Sequence, residues 1–219
     1  MHNSVQICLY ANSEGVLYCN HCINKSQLYY MHKCFDQMGI TSALDTFCGQ
    51  SNGAEQYHML GIHMQRAMIV VSIVSVFLAI VWANTKQILV VMHQDKAISK
   101  EAGSYAFFLI PSLFAYGPLQ CILKFLQTQN IVLPMVVTSG IAALLHTLLC
   151  WLLVFEFKLG SKGAAISNSI CYWVNMLLIS LYVKFSSTCK QTWTGFSKRA
   201  LQDLFVFLRL AIPSALMVW

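Results

Sequence analysis

The residues best able to do chemistry in this sequence sit inside long apolar runs. His146 lies in IVLPMVVTSGIAALLHTLLCWLLVF (131–155), a run without Asp, Glu, Lys or Arg. An ionisable group within hydrocarbon is costly to bury and is a functional candidate by default. With an ordinary pKa of about 6.5, an imidazole there could carry a proton. The competing reading, which we favour, is a neutral His bonded to a neighbouring helix. Two polar stripes also have helical spacing. Ser112, Tyr116 and Gln120 are four apart within 102–126, and Asn168, Tyr172 and Asn175 follow an i, i+4, i+7 face within 163–183. Residues so spaced share one side of a helix. They either line a water-filled path for a small organic substrate or tie helices together by hydrogen bonds. Gly163, Ser167 and Cys171 offer an adjacent small-residue face for close helix approach. The two readings of the stripes stand level.

Other chemistries find no support. Glu14, Asp36, Asp45, Glu55, Asp95, Glu101, Glu156 and Asp203 all fall outside the four clear apolar runs. An intramembrane aspartyl protease needs paired acids within its helices. There is no HExxH metalloprotease motif and no Walker A loop. The chain is not expected to be an enzyme. Cys19, Cys22, His32 and Cys34 contain a zinc-ligand spacing in Cys-x-x-Cys, but the second half matches no familiar finger, so no metal site is expected. Nine cysteines, three of them (Cys121, Cys150, Cys171) in apolar runs, suggest no disulfide framework. Asn24-Lys25-Ser26 matches a glycosylation sequon.

The elements that must position these residues are membrane helices. Of 219 residues, 57% are hydrophobic and 10% charged, with mean hydropathy +0.60. Soluble domains carry about 25% charged residues. Runs at 67–83, 102–126, 131–155 and 163–183 meet or approach the ~20 helical residues that cross a bilayer core. They are continuous rather than alternating, so they read as helices. Pro111 and Pro118 do not contradict this, because neighbouring helices can satisfy the freed carbonyls. Residues 39–65 are semi-polar and contain an expected loop at 48–56, while Arg66 is expected to bracket the first span. Lys124 and Arg209, nearer span ends, are expected to snorkel to the interface. The net charge of +6 is dispersed between apolar runs, which fits an anionic leaflet and not a nucleic-acid footprint. Lys184, Lys190, Lys198 and Arg199 make 184–203 the expected cytoplasmic linker, leaving Lys86, Lys96, Lys100, Lys158 and Lys162 on the opposite side. The start of the chain lacks the basic and apolar segments of a signal peptide.

From residue 39 onward the sequence resembles the plant multidrug and toxic compound extrusion, or DETOXIFICATION, family of transporters. The resemblance is carried by SALDTFCGQSNGAEQYHMLGIHMQRAM (42–68), IPSLFAYGPLQCILKFLQTQNIVLPMV (110–136), LGSKGAAISNSICYWVN (159–175) and SSTCKQTWTGFSKRALQDLFVFLRLAIPSALM (186–217). It implies an all-α polytopic membrane protein: part of the N-terminal lobe of a twelve-helix, two-lobe transporter, about helices three to six with parts of two and seven. By this resemblance Asp45, Cys48, Gly49, Gln50 and Gly53 form a family motif that ends helix two and begins a cytoplasmic loop. Ser51 and Asn52 depart from the Ala and aromatic residue usual there, and His93 and Lys96 replace a frequent Gly and Pro. Residues 1–38 match nothing in the family and are expected to be poorly ordered; 39–185 form the partial lobe, 186–203 the cytoplasmic inter-lobe linker, and 204–219 a truncated helix seven. The family's acidic residue of helix seven would follow Trp219.

The implied function is a proton- or sodium-driven antiporter. It would export organic cations, xenobiotics or secondary metabolites from a multi-pass position in the plasma or vacuolar membrane. The lipid bilayer and a small organic substrate are the partners expected, with no cofactor, no nucleic acid and no obligate protein partner. The alternative is a non-transporting truncated chain that at most associates with a full-length relative.

Overall fold

The computed structural model describes residues 44–54, 56–91 and 96–186, together with Arg209 and Pro213. The expectations for residues 1–38, for the zinc spacing and sequon, and for the linker fall outside them. Residues 44–53 form a short helix, α1. Then come α2 (Tyr57–Ala83), α3 (Thr85–Val91), α4 (Lys96–Thr128), α5 (Leu133–Trp151) and α6 (Gly160–Phe185). A turn of π-helix, Leu152–Glu156, extends α5. Four helical stretches are long and apolar enough to cross a membrane: His58–Ala83, Ser99–Thr128, Leu133–Glu156 and Gly160–Phe185. Lipid offers a backbone no hydrogen-bond partner, so each apolar run closes its own bonds as a helix.

The helices outrun the apolar runs that mark them. α2 begins ten residues before 67, so 57–66 is helical and Arg66 is a buried residue inside α2 rather than its bracket. The reason is packing: His63, Gln65 and Arg66 are all buried, and the His63 ring stacks on Phe47 of α1 at 5.0 Å between centroids. Residues 48–53, expected as loop, complete α1, and α2 opens at Tyr57. α4 has 33 residues, about 50 Å of helix at 1.5 Å each, well beyond a core of about 30 Å. Its length draws Glu101 into the stretch Ser99–Thr128, and Glu156 ends the stretch Leu133–Glu156. Two acids expected outside the spans thus stand at their ends, both exposed.

α4 packs against α2, α3 and α6, and α5 packs on the far side of α6. The order across the bundle is therefore α2, α4, α6, α5. Two apolar cores hold it. One gathers Leu44 and Cys48 of α1 with Leu60, Met64, Leu119, Phe125 and Ile179. The other joins Trp82, Leu109, Leu113 and Ala165 toward the opposite end. Between them α2 and α4 come so close that a Cβ at Gly117 would run into Val71 Cγ1. The outer face of α5 stays bare: Leu133, Val137, Ile141, Leu144, Leu148 and Trp151 are exposed, and only 17% of its span lies inside the protein. That face is what a helix presents to acyl chains.

Candidate functional site

Tyr116 on α4 and Tyr172 on α6 meet edge to face between the two cores, with centroids 5.2 Å apart and planes at 75°. Tyr116 falls in register between Leu109–Leu113 and Leu119, and Tyr172 between Ala165 and Ile179. Aromatic pairs favour this arrangement because a positive ring edge meets a negative face. The α4 and α6 stripes read from the sequence are joined at this one pair.

The other stripe residues separate. Ser112 is buried and donates to the Leu109 carbonyl of its own helix at 2.6 Å, so its hydroxyl faces no path. A hydroxyl in an apolar setting commonly finds an acceptor one turn back. Gln120 is half-buried on α4. On α6, Ser169 and Trp173 reach α4, whereas Gly163 abuts the π-turn that extends α5, at the Leu153 carbonyl, and Ser167 one turn on donates to the Ala164 carbonyl of its own helix at 2.9 Å. Asn168 and Asn175 are seven residues apart, so they share a face between those two seams. Asn168 is half-buried. Asn175 is buried, and its Oδ1 has no hydrogen-bond partner. An orphaned acceptor in an apolar interior is unfavourable, so Asn175 is the stripe residue best placed to receive a ligand donor.

His146 lies elsewhere. Thr138, Ala142, His146 and Cys150 are buried at successive four-residue steps along α5, forming the face packed on α6. The imidazole is thus within the α5–α6 seam, a helix away from Tyr116. Of the six candidates, Tyr116 meets Tyr172 at the α4–α6 contact, Asn168 and Asn175 share one face of α6, Ser112 turns to its own helix, Gln120 is half-buried, and His146 lies in the α5–α6 seam.

Sequence reasoning missed the contacts that hold this arrangement. Pro111 offers no N–H to the turn before it, and a proline ring crowds the carbonyl there. α6 supplies donors in that region: Ser169 Oγ lies 3.2 Å from the Phe108 carbonyl and Trp173 Nε1 3.1 Å from the Pro111 carbonyl. The carbonyl that Pro111 leaves without its N–H is that of Phe107, four residues back, and these two donors serve neighbouring carbonyls instead. A Ser and a Trp four apart, on the next helix but one from a proline, were the available signal.

Lys124 does not snorkel freely. Its Nζ lies 2.9 Å from Asp45 Oδ2, across 79 positions of sequence. Asn52, one of the departures from the family pattern, donates to the Thr128 carbonyl at 3.1 Å and serves the end of α4. Arg209 is exposed. Of the motif residues around Asp45, Cys48 is fully buried, while Gly49, Gln50 and Gly53 are exposed. Burial, reinforced by the Asp45 charge, pushes the Cys48 thiol up to about 12. Among the described residues, Cys48, Cys150 and Cys171 are free thiols, and no cluster of three His, Cys, Asp or Glu side chains could hold a metal.

Comparison with known proteins places this geometry. The MatE family model matches residues 35–152. Protein DETOXIFICATION 16 of Arabidopsis thaliana is 60% identical over 181 residues, which are 83% of this chain and 37% of that protein. Protein DETOXIFICATION 15 of the same plant is 58% identical over 83% of this chain and 38% of its own length. The chain superposes on the crystal structure of the eukaryotic MATE transporter AtDTX14 with TM-score 0.91 and 35% identity, covering 99% of this chain and 48% of that one. An inward-facing multidrug resistance MATE transporter of the MOP superfamily shares the fold at TM-score 0.70 and 18% identity. The chain spans well under half the length of the curated relatives it matches.

Proposed function

This chain belongs to the MatE family of multi-pass membrane transporters, and from that premise we propose that it contributes one side of a substrate path in a cation-coupled antiporter. The exported solutes would be organic cations, xenobiotics or secondary metabolites. The path on this side runs along α4 and α6 past Tyr116, Gln120, Asn168 and Asn175. The observation that carries the reading is Asn175: a buried amide oxygen with no partner, three residues along α6 from Tyr172 of the aromatic pair. Aromatic faces attract organic cations, and a free carbonyl orients a donor. Repeat-built transporters place such groups near the midplane and rock one bundle against another.

The driving force is proposed to be a proton or sodium gradient, with no cofactor bound to the chain. Among the described residues Asp45, Glu101 and Glu156 stand at or beyond the ends of spans, so none is assigned the coupling role. His146, packed in the α5–α6 seam, is given a structural one. The membrane is proposed to be the plasma or the vacuolar membrane, with the basic linker 184–203 toward the cytoplasm.

The test is uptake of a fluorescent organic cation into proteoliposomes under a pH gradient. The carrier is a full-length relative into which residues 39–219 are grafted. Flux from the graft, cut by about tenfold or more in Asn175→Ala with expression unchanged, is expected. Flux unaffected by Asn175→Ala and Tyr116→Ala would overturn the path. Gradient-driven flux by the 219-residue chain alone, lost in His146→Ala, would make His146 the coupling group.

A further inference from the structure

One end of the bundle carries charge that the transport reading does not use. Lys86 opens α3, Lys96 and Lys100 lie in the first turns of α4, Lys158 sits in the turn before α6, and Lys162 lies in the first turn of α6. All five are exposed. They converge because three contacts draw their elements together. Lys86 packs so tightly on α4 that a Cβ at Gly103 would stand 2.7 Å from Lys86 Cβ. Glu101, beside Lys100, accepts from the Ser161 hydroxyl at 3.2 Å, next to Lys162. Lys162 Nζ in turn lies 6.0 Å from the Phe108 ring centre.

None of the five is neutralised. Among the described residues none makes an ion pair, and Glu101 turns to a serine instead. Glu156 is the other described acid at this end, and the lysines outnumber the acids even with Asp95 of the sequence counted. At the opposite end Lys124 is held by Asp45 and Arg66 is buried, while Lys184 is exposed at the end of α6. Five lysines against two described acids leave this end net positive, a field that attracts an anionic partner.

Depth identifies the partner. Each lysine lies within three residues of a span end at Ala83, Ser99, Glu156 or Gly160. That is the level of lipid headgroups, where a long cationic side chain reaches phosphate while its stem stays in the apolar layer. Exposed apolar side chains stand beside them: Ile88 and Val91 near Lys86, Phe157 and Leu159 flanking Lys158, with Val91 77% and Phe157 63% exposed. A site for a dissolved anion has no use for that apolar fringe, whereas acyl chains below a headgroup do. We propose that Lys86, Lys96, Lys100, Lys158 and Lys162 form a docking surface for the phosphate headgroups of anionic phospholipids in the leaflet at this end, the one away from the linker 184–203. The surface depends only on the chain's crossing the membrane, so it stands or falls apart from the transport reading.

Native mass spectrometry of the purified full chain tests it, counting retained phosphatidylglycerol against phosphatidylcholine of the same acyl chains. The wild-type chain is expected to prefer the anionic lipid by about fivefold, the factor one lysine engaged at a charged surface supplies. Replacing all five lysines by Gln abolishes the preference. Replacing Lys184, Lys190, Lys198 and Arg199 by Gln keeps at least part of it. If the five-residue variant loses its helical circular dichroism, Lys100→Gln with Lys162→Gln stands in, and a clear reduction is expected. Equal retention of both lipids by the wild type, or a preference lost only in the Lys184 set, would refute the surface. Displacement of the lipid by millimolar inorganic phosphate would also overturn it, by showing a site for dissolved anions.

Discussion

The Ser169 hydroxyl on α6 lies 3.2 Å from the Phe108 carbonyl on α4, three residues before Pro111. The same hydroxyl is 3.0 Å from Ala165 O of its own helix, so the bond to Phe108 is one of two it shares. Trp173, one turn on, donates to the carbonyl of Pro111 itself. A proline in a membrane helix is tolerated when another helix serves its region, and here one face of α6 does so.

Ser169→Ala is therefore expected to lower stability in detergent by about 1 kcal/mol, in the range of interhelical bonds in membranes. Trp173→Phe should cost a similar amount. Pro111→Ala returns an N–H to the Phe107 carbonyl, which neither donor serves, so the Ser169→Ala loss should persist in that background. Thermal unfolding of the single and double variants measures this, and a Ser169→Ala loss that vanishes with Pro111→Ala would contradict it.

Asp45 and Lys124 make a half-exposed pair, with 41% and 28% of their side chains accessible. Solvent screening limits such a pair to about 0.5 kcal/mol. Asp45→Asn should show that small loss at low salt and none at high salt, and exchanging the two residues should recover it. Asn52→Ala should cost more, about 1 kcal/mol at any salt, because the Thr128 carbonyl loses a neutral partner. Salt titrations of unfolding midpoints separate the two.

Gly117 fits only because it lacks a side chain against Val71. Gly117→Ala is expected to destabilise by roughly 1–3 kcal/mol through overpacking. Val71→Ala in the same chain should restore most of the loss. Failure of that rescue would mean the α2–α4 approach is not set by this contact.

Cys48 keeps its proton to about pH 12 when folded, whereas an unfolded thiol loses it near 8.5. Between those values the unfolded chain binds fewer protons than the folded one, so stability falls as pH rises. In a variant whose only cysteine is Cys48, a charged maleimide at pH 9 should react slowly with the native chain and quickly once it is denatured. Equal rates would show that the thiol is not buried.

Membrane class, helix type and approximate spans were legible because they are local properties. An apolar run long enough to cross a bilayer must close its own hydrogen bonds, whatever its neighbours do. Boundaries were less legible. The polar turn His63–Arg66 continues α2, and Glu101 lies within α4, because contacts with other elements keep polar residues helical beyond the apolar stretch.

The i, i+4 and i, i+7 spacings correctly placed Ser112 with Tyr116 and Asn168 with Asn175 on shared faces. They could not say what those faces meet. That depends on the rotation of each helix and on which helix lies beside it, and neither is encoded within a single run. The sequence alone thus determined which segments cross the membrane and which side chains each turns the same way. Only the packing of α4 against α6 and of α6 against α5 decided that Tyr116 finds Tyr172, that Ser112 turns back on its own helix, and that His146 is closed into a seam. The physical reason is range: backbone hydrogen bonds are satisfied within four residues, while a buried side chain is satisfied by whatever the fold brings across from 60 or more residues away.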